Sequence, residues 1–294
     1  MFSIILLISS CLLFSILATL IKFGAQYVHP IEQSFFRNLF SILFILPFVL
    51  RKKKVIKKKS NVKLLLFRGL FGGITMILLF CSYTMIPLSQ AMAVSFSTPL
   101  FMYLGGIIFF KEKTSKFNNL MLIIGFILTV VILRPDLEIK MGVILALIAA
   151  ITHAIAGLLV KKISETESIS TLMLSMVVLM LPITFIPSIY VWTPSKDFNL
   201  YILLFSIAFI ATLGNYCWTK ALSMSKLTNL MTFDFSKLIF TTILGLMVFN
   251  EKVDLVTLIC GTGIIICNNL SLINFKKNEK NNPILPNYYA SATN

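Results

Sequence analysis

Phe110-Lys111-Glu112-Lys113 returns as Phe249-Asn250-Glu251-Lys252, 139 residues further along the chain. The same offset carries Phe96-Ser97 onto Phe235-Ser236, Phe101 onto Phe240 and Lys22 onto Lys161. Any one of these matches is weak in a chain that holds 26 Phe. A single offset that serves both ends of a half-chain carries more weight, and it divides the sequence into two copies, 1–134 and 141–273, with a tail, 274–294. Self-similarity at a fixed spacing outranks any short motif in setting an architecture.

The copies are built for lipid. Of 294 residues, 57% are hydrophobic and 13% charged, and the mean hydropathy is +0.92. Soluble chains carry roughly a quarter charged residues, so this one lacks the polar side chains to coat a globule. Apolar runs predict ten helices at 2–24, 31–50, 64–85, 89–110, 118–134, 141–160, 170–190, 199–219, 227–249 and 255–273. Most approach the roughly 20 residues that cross a hydrocarbon core. The first has no basic flank before Lys22 and no small-x-small cleavage site, so it reads as a retained helix, not a signal peptide. Each copy thus holds five helices, and an odd number turns the second copy over in the membrane. The expected fold is an all-α polytopic membrane protein of ten transmembrane helices in two inverted five-helix repeats.

Charge orients it. Lys and Arg number 26 against 11 Asp and Glu, a net +15. With both termini on one side, that side collects 18 basic residues, eight of them in 51–63. The opposite loops hold four, Arg134, Lys140, Lys196 and Lys252, which places both termini in the cytoplasm. The polybasic run has no interleaved aromatics to stack on bases, so anionic lipid headgroups are its expected partner and nucleic acid is not. All five cysteines lie in apolar segments, and His29 and His153 lie on different ones. No disulfide framework, metal site or cofactor is expected. The tail from Asn274, rich in Lys, Asn and Pro, reads as a mobile cytoplasmic extension.

Nine of the 11 acids fall in loops or the tail, leaving Glu32 at the outer start of the second segment and Asp234 inside the ninth. A carboxylate at mid-bilayer costs about 2.5–3.5 kcal/mol on insertion scales and must face a cavity or a partner. Lys237 lies three residues on, about 60° around a helix. Two readings stand: a self-neutralising structural ion pair, or a pair lining a cavity and meeting the charged ends of a zwitterion, with proton coupling as a third. Arg37 sits five residues beyond Glu32 and about 140° away around the helix, so the two do not pair directly. It reads either as a clamp to another helix's carbonyls or as a contact to a ligand carboxylate. Glu32 reads as solvated at the rim or as drawing in cations. Lys22 is expected to snorkel to headgroups, His153 to be a hydrogen-bonded packing residue, and Gly69 with Gly73 to form a small-xxx-small packing surface.

Arg37, Arg68-Gly69 opening the third segment, Ser97-Thr98-Pro99-Leu100 in the fourth and Lys111-Glu112-Lys113 after it together resemble the EamA-type drug/metabolite transporter superfamily, over about 1–273. The second copy departs from that pattern, with Lys237-Leu238 where the first has Thr98-Pro99. The resemblance implies ten helices, cytoplasmic termini and a central cavity. More narrowly, the length, the Lys/Ile/Asn bias and the run from Lys22-Phe23-Gly24 through Arg37-Asn38 are similar to S-adenosylmethionine uptake transporters of obligate intracellular bacteria. That likeness implies S-adenosylmethionine as substrate, S-adenosylhomocysteine as a related ligand, and the bacterial inner membrane as location.

On that expectation Tyr83, Tyr216 and Trp218 are candidate surfaces for an adenine ring or a sulfonium, although Trp218 lies near a helix end and reads equally as an interfacial belt residue. Gln90 and Asn215 are candidates for purine edges. The candidate binding set is therefore Asp234, Lys237, Arg37, Glu32, Tyr83, Gln90, Asn215 and Trp218. With no HExxH, nucleophile elbow or Walker A motif, catalysis and ATP-driven pumping are not expected. An amino-acid or general metabolite carrier of the same superfamily is the alternative, ahead of a membrane-embedded enzyme or a passive channel.

Overall fold

The computed structural model describes residues 2–50, 61–86, 91, 94–133, 141–193, 197–249 and 255–281, and among these it is helical with no strand. The helices are α1 (Phe2–Gly24), α2 (Pro30–Leu50), α3 (Val62–Met85), α4 (Ser97–Phe110), α5 (Lys116–Leu133), α6 (Met141–Ile163), α7 (Ile169–Ile189), α8 (Phe198–Met224), α9 (Leu227–Asp234), α10 (Ser236–Phe249) and α11 (Leu255–Asn281). Their ends follow local chemistry. Pro30 opens α2, where its missing N–H and fixed φ cost nothing. Ser168 caps α7 by accepting from the Thr171 N–H (3.2 Å), and Asp197 caps α8 by accepting from the Asn199 N–H (2.9 Å). Lys111 ends α4 in the left-handed region at φ 51°, and the Glu112 N–H turns back to the Gly106 carbonyl at 3.1 Å.

Six spans are long and apolar enough to cross a bilayer: α1, α3, α6, α7, α8 and the segment Leu227–Val248. Ser97–Phe110, Lys116–Leu128 and Ile259–Ser271 are shorter apolar helices. Two sequence expectations need correction. The ninth segment is interrupted by a turn at Phe235, which separates α9 from α10; the fourth is likewise interrupted by a turn at Phe96, before α4. The last helix, α11, runs on beyond the apolar stretch Ile259–Ser271 to Asn281. Asn274 Nδ2 donates to Asn118 Oδ1 (2.8 Å) and Ser115 Oγ (3.2 Å), tying α11 to the start of α5.

The 139-residue offset reappears in the helix ends. It carries α1 onto α6, α2 onto α7 and α4 onto α10, end for end, the start of α5 onto that of α11, and the end of α3 onto that of α8. Packing follows the same rule: α1 with α8 mirrors α6 with α3, α2 with α8 mirrors α7 with α3, and α1 with α10 mirrors α6 with α4, while α2 meets α7 and α5 meets α11. Phe96 and Phe235 have matching backbones, φ −70°, ψ −5° and φ −62°, ψ −16°. Their buried rings touch, with centroids 6.0 Å apart.

Gly69 and Gly73 sit where α3 meets α7: a Cβ on Gly69 would lie 2.4 Å from Leu179 Cβ, and one on Gly73 3.0 Å from Ile183 Cγ2. Their role is close helix approach, as the sequence spacing implied. Gly69→Val is expected to destabilise the protein by about 1–3 kcal/mol, the usual cost of overpacking. Gly261→Ala, where nothing lies within 4 Å, is the control and should be neutral or slightly stabilising. Detergent melting curves check this, and equal losses at both positions would contradict it.

Candidate functional site

The interrupted segments, α1, α2, α3, α6, α7 and α8 enclose one cavity, and six of the eight candidate residues line it: Arg37, Tyr83, Asn215, Trp218, Asp234 and Lys237. Asp234 ends α9 and Lys237 lies just past the Phe235 turn. The expected ion pair between them is not formed. Asp234 Oδ1 instead faces the Cys11 thiol at 3.6 Å, and Lys237 Nζ sits over the Phe14 ring, 5.2 Å from its centroid. Cys11 and Phe14 both come from α1, so the packing of α1 against α9 and α10 gives each charge a separate neighbour. Thr241 Oγ1 strengthens the same seam by donating to Ser15 Oγ at 3.0 Å.

Arg37 enters from α2 and Arg68 from α3, both buried. Arg37 does not clamp carbonyls: its Nη1 points at Met76 Sδ. Arg68 Nη2 donates to Met176 Sδ at 3.1 Å. A thioether is a weak acceptor, and the Nε of both arginines is buried with no partner. Sequence reasoning noted Arg68 only as part of a family pattern; its distance from the other charged residues along the chain gave no sign that it shares their cavity.

The aromatic wall forms around Trp218. It is buried, so it is not an interfacial belt residue, and its indole lies tilted against the His153 ring, with centroids 5.2 Å apart and planes at 32°. His153 is accordingly held by a ring contact and faces the cavity, which corrects its reading as a hydrogen-bonded packing residue. Gly157 makes room for this wall, since a Cβ there would lie 3.2 Å from Trp218 Cη2. Asn215 Nδ2 bonds the Ala211 carbonyl of its own helix (2.7 Å), leaving its oxygen for the cavity. Tyr216 is 45% exposed on the outer surface and takes no part.

Glu32 lies elsewhere. It is 3% exposed and accepts from the Thr193 N–H (3.2 Å) and hydroxyl (3.0 Å), so it is neither solvated nor in the cavity but ties α2 to the segment after α7. Gln90 lies outside the described residues.

The cavity is displaced toward one end of the bundle. It reaches Ile21, Phe80 and Tyr83 but not their counterparts at the 139-residue offset, Val160, Thr219 and Leu222, which are packed in the core. At that opposite end Ser3 and Ser225 share a 2.6 Å hydrogen bond. Lys161 Nζ donates to the Leu222 and Ser225 carbonyls at 3.0 and 2.6 Å. Glu112 of the repeated motif caps α9, accepting from Leu227 N (3.1 Å), Thr228 N (2.9 Å) and Thr228 Oγ1 (2.8 Å). A carboxylate at a helix N-terminus satisfies open N–H groups and the helix dipole together.

The profile of the EamA-like transporter family matches residues 1–134 and 140–269. An S-adenosylmethionine uptake transporter of Rickettsia conorii is 32% identical over 262 residues, covering 88% of each chain. An uncharacterized transporter of Helicobacter pylori is 26% identical, covering 91% of this chain and 92% of its own. A crystal structure of another protein superposes with a TM-score of 0.79 at 14% identity, over 94% of this chain and 98% of that one, a likeness of fold.

Proposed function

Because the chain belongs to the EamA-like transporter family, and so is a multi-pass membrane transporter of small molecules, we propose that it takes up S-adenosylmethionine by alternating access, without catalysis. The observation that carries the reading is a single cavity in which a tilted pair of rings, Trp218 and His153, lies with both signs of charge, Asp234 and the arginines. S-adenosylmethionine offers a group to each: an adenine face and a sulfonium for aromatic surfaces, an ammonium for Asp234, and a carboxylate for a cation. Similarity to the Rickettsia conorii transporter supports the same substrate.

The halves 1–134 and 141–273 act as inverted five-helix repeats, a reading supported by matched helix ends and mirrored packing. Exchange of conformation between inverted halves moves the opening from one face to the other. In the bacterial inner membrane, with termini cytoplasmic as the basic loops require, the laced end faces the cytoplasm and the displaced cavity faces outward.

One observation favours the alternative, an amino-acid or general metabolite carrier of the same superfamily. The cavity holds three cationic side chains, Arg37, Arg68 and Lys237, against Asp234 alone, a poor balance for a ligand that carries a sulfonium. Proteoliposomes decide between the two. Labelled S-adenosylmethionine should enter saturably, S-adenosylhomocysteine should compete, and methionine should compete poorly because it lacks the purine and ribose contacts that offset the cost of ordering. Loading with internal substrate and collapsing the pH gradient would then separate exchange from proton coupling. Competition by ordinary amino acids, with no effect of either adenosyl compound, would establish the alternative.

A further inference from the structure

Two cations that line one cavity are held there by almost nothing. Arg37 and Arg68 are 5% and 4% exposed, each touches a methionine sulfur, and each keeps a buried Nε without a partner. No carboxylate among the described residues pairs with either. Lys161 of the same molecule shows what a structural cation does here, since its ammonium is satisfied by two backbone carbonyls. The arginines have no such seat. Their neighbours Met76 and Met176 are unbranched, flexible side chains that can be displaced. Gly72 holds the space open: a Cβ there would lie 2.5 Å from Arg68 Nη1.

We infer that Arg37 and Arg68 form a carboxylate subsite, in which a ligand's carboxylate replaces the two thioethers and takes the open Nε–H and Nη–H donors. A guanidinium presents those donors as a planar fork that matches a carboxylate. Asp234 in the same cavity takes the ligand's cationic end, so the ligand class is a zwitterion with an α-amino acid end. The inference rests on the cavity being the transport route; it does not rest on S-adenosylmethionine being the cargo.

The test compares a carboxylate with its absence. In wild-type proteoliposomes decarboxylated S-adenosylmethionine should compete about 10- to 100-fold less well than S-adenosylmethionine, the worth of a charge-assisted contact. In Arg68→Gln that ratio should fall toward one. Ligand-free Arg68→Gln should melt at or above the wild-type temperature, because an unpaired buried charge has been removed. Equal competition by both compounds in the wild type overturns the subsite. So does an Arg68→Gln protein that melts lower yet still discriminates. If S-adenosylmethionine proves not to be carried, melting is read with methionine against methioninamide and alanine against alaninamide. Stabilisation by the acids alone, lost in Arg68→Gln, keeps the subsite while the substrate falls; equal stabilisation by acid and amide, or none, overturns it.

Discussion

A chain with Ser3→Cys and Ser225→Cys should lose uptake on oxidation and regain it on reduction. The two hydroxyl oxygens are 2.6 Å apart, and a disulfide needs about 2.05 Å between its sulfurs. Ser3 lies in the first turn of α1, and Ser225 closes α8 in the other half. Their end of the bundle is also fastened by Lys161 and Glu112. The proposed alternating access requires this end to part. Hydrogen bonds open readily; a disulfide does not, so the oxidised protein should stay fixed with uptake at background, while each single mutant remains active. A membrane-impermeant reductant should rescue only from the cytoplasmic face, which also checks the orientation drawn from the basic loops. Full uptake in protein whose cross-link is verified by mass would remove this end as a gate.

Asp234→Asn should lower uptake by about a hundredfold while leaving the melting temperature near wild type. The magnitude is that of a buried charged contact to a ligand, about 2–5 kcal/mol. Stability should hold because no internal ion pair is lost: Lys237 is seated over Phe14 and Asp234 faces only a thiol. Asparagine keeps the shape. Lys237→Met should also fold normally, which separates this arrangement from a self-neutralising pair, where each single change would destabilise and the double change Asp234→Asn with Lys237→Met would restore. Retained uptake in Asp234→Asn, or rescue of a melting defect by the double change, would count against a ligand contact.

The sequence made the helices legible because a lipid solvent demands long apolar runs, and the 139-residue echo foreshadowed helix ends that repeat at the same spacing. Interruptions at Phe96 and Phe235 were hidden, since phenylalanine is no helix breaker and both residues keep right-handed helical dihedrals. The spacing of Asp234 and Lys237 suits an ion pair on an isolated straight helix; Cys11 and Phe14, more than 200 positions earlier, supply the actual neighbours. Thr193 is also remote from Glu32, 161 residues along. Trp218 could not be placed by its distance from a helix end, because burial depends on which face α8 turns to α6. The methionines that meet the arginines read only as apolar filler.

Phe96 and Phe235 stand 139 residues apart, as equivalent positions of the two proposed repeats, and their rings touch. Between separate subunits, a patch that meets its own duplicate defines an isologous interface, the geometry of closed two-fold dimers. Here one polypeptide supplies both partners, so each can diverge, as Thr98 and Lys237 have done. A true homodimer would have to place a lysine at both sites or at neither. Covalent fusion frees the chain from that rule and permits an asymmetric ligand to be met by unlike walls.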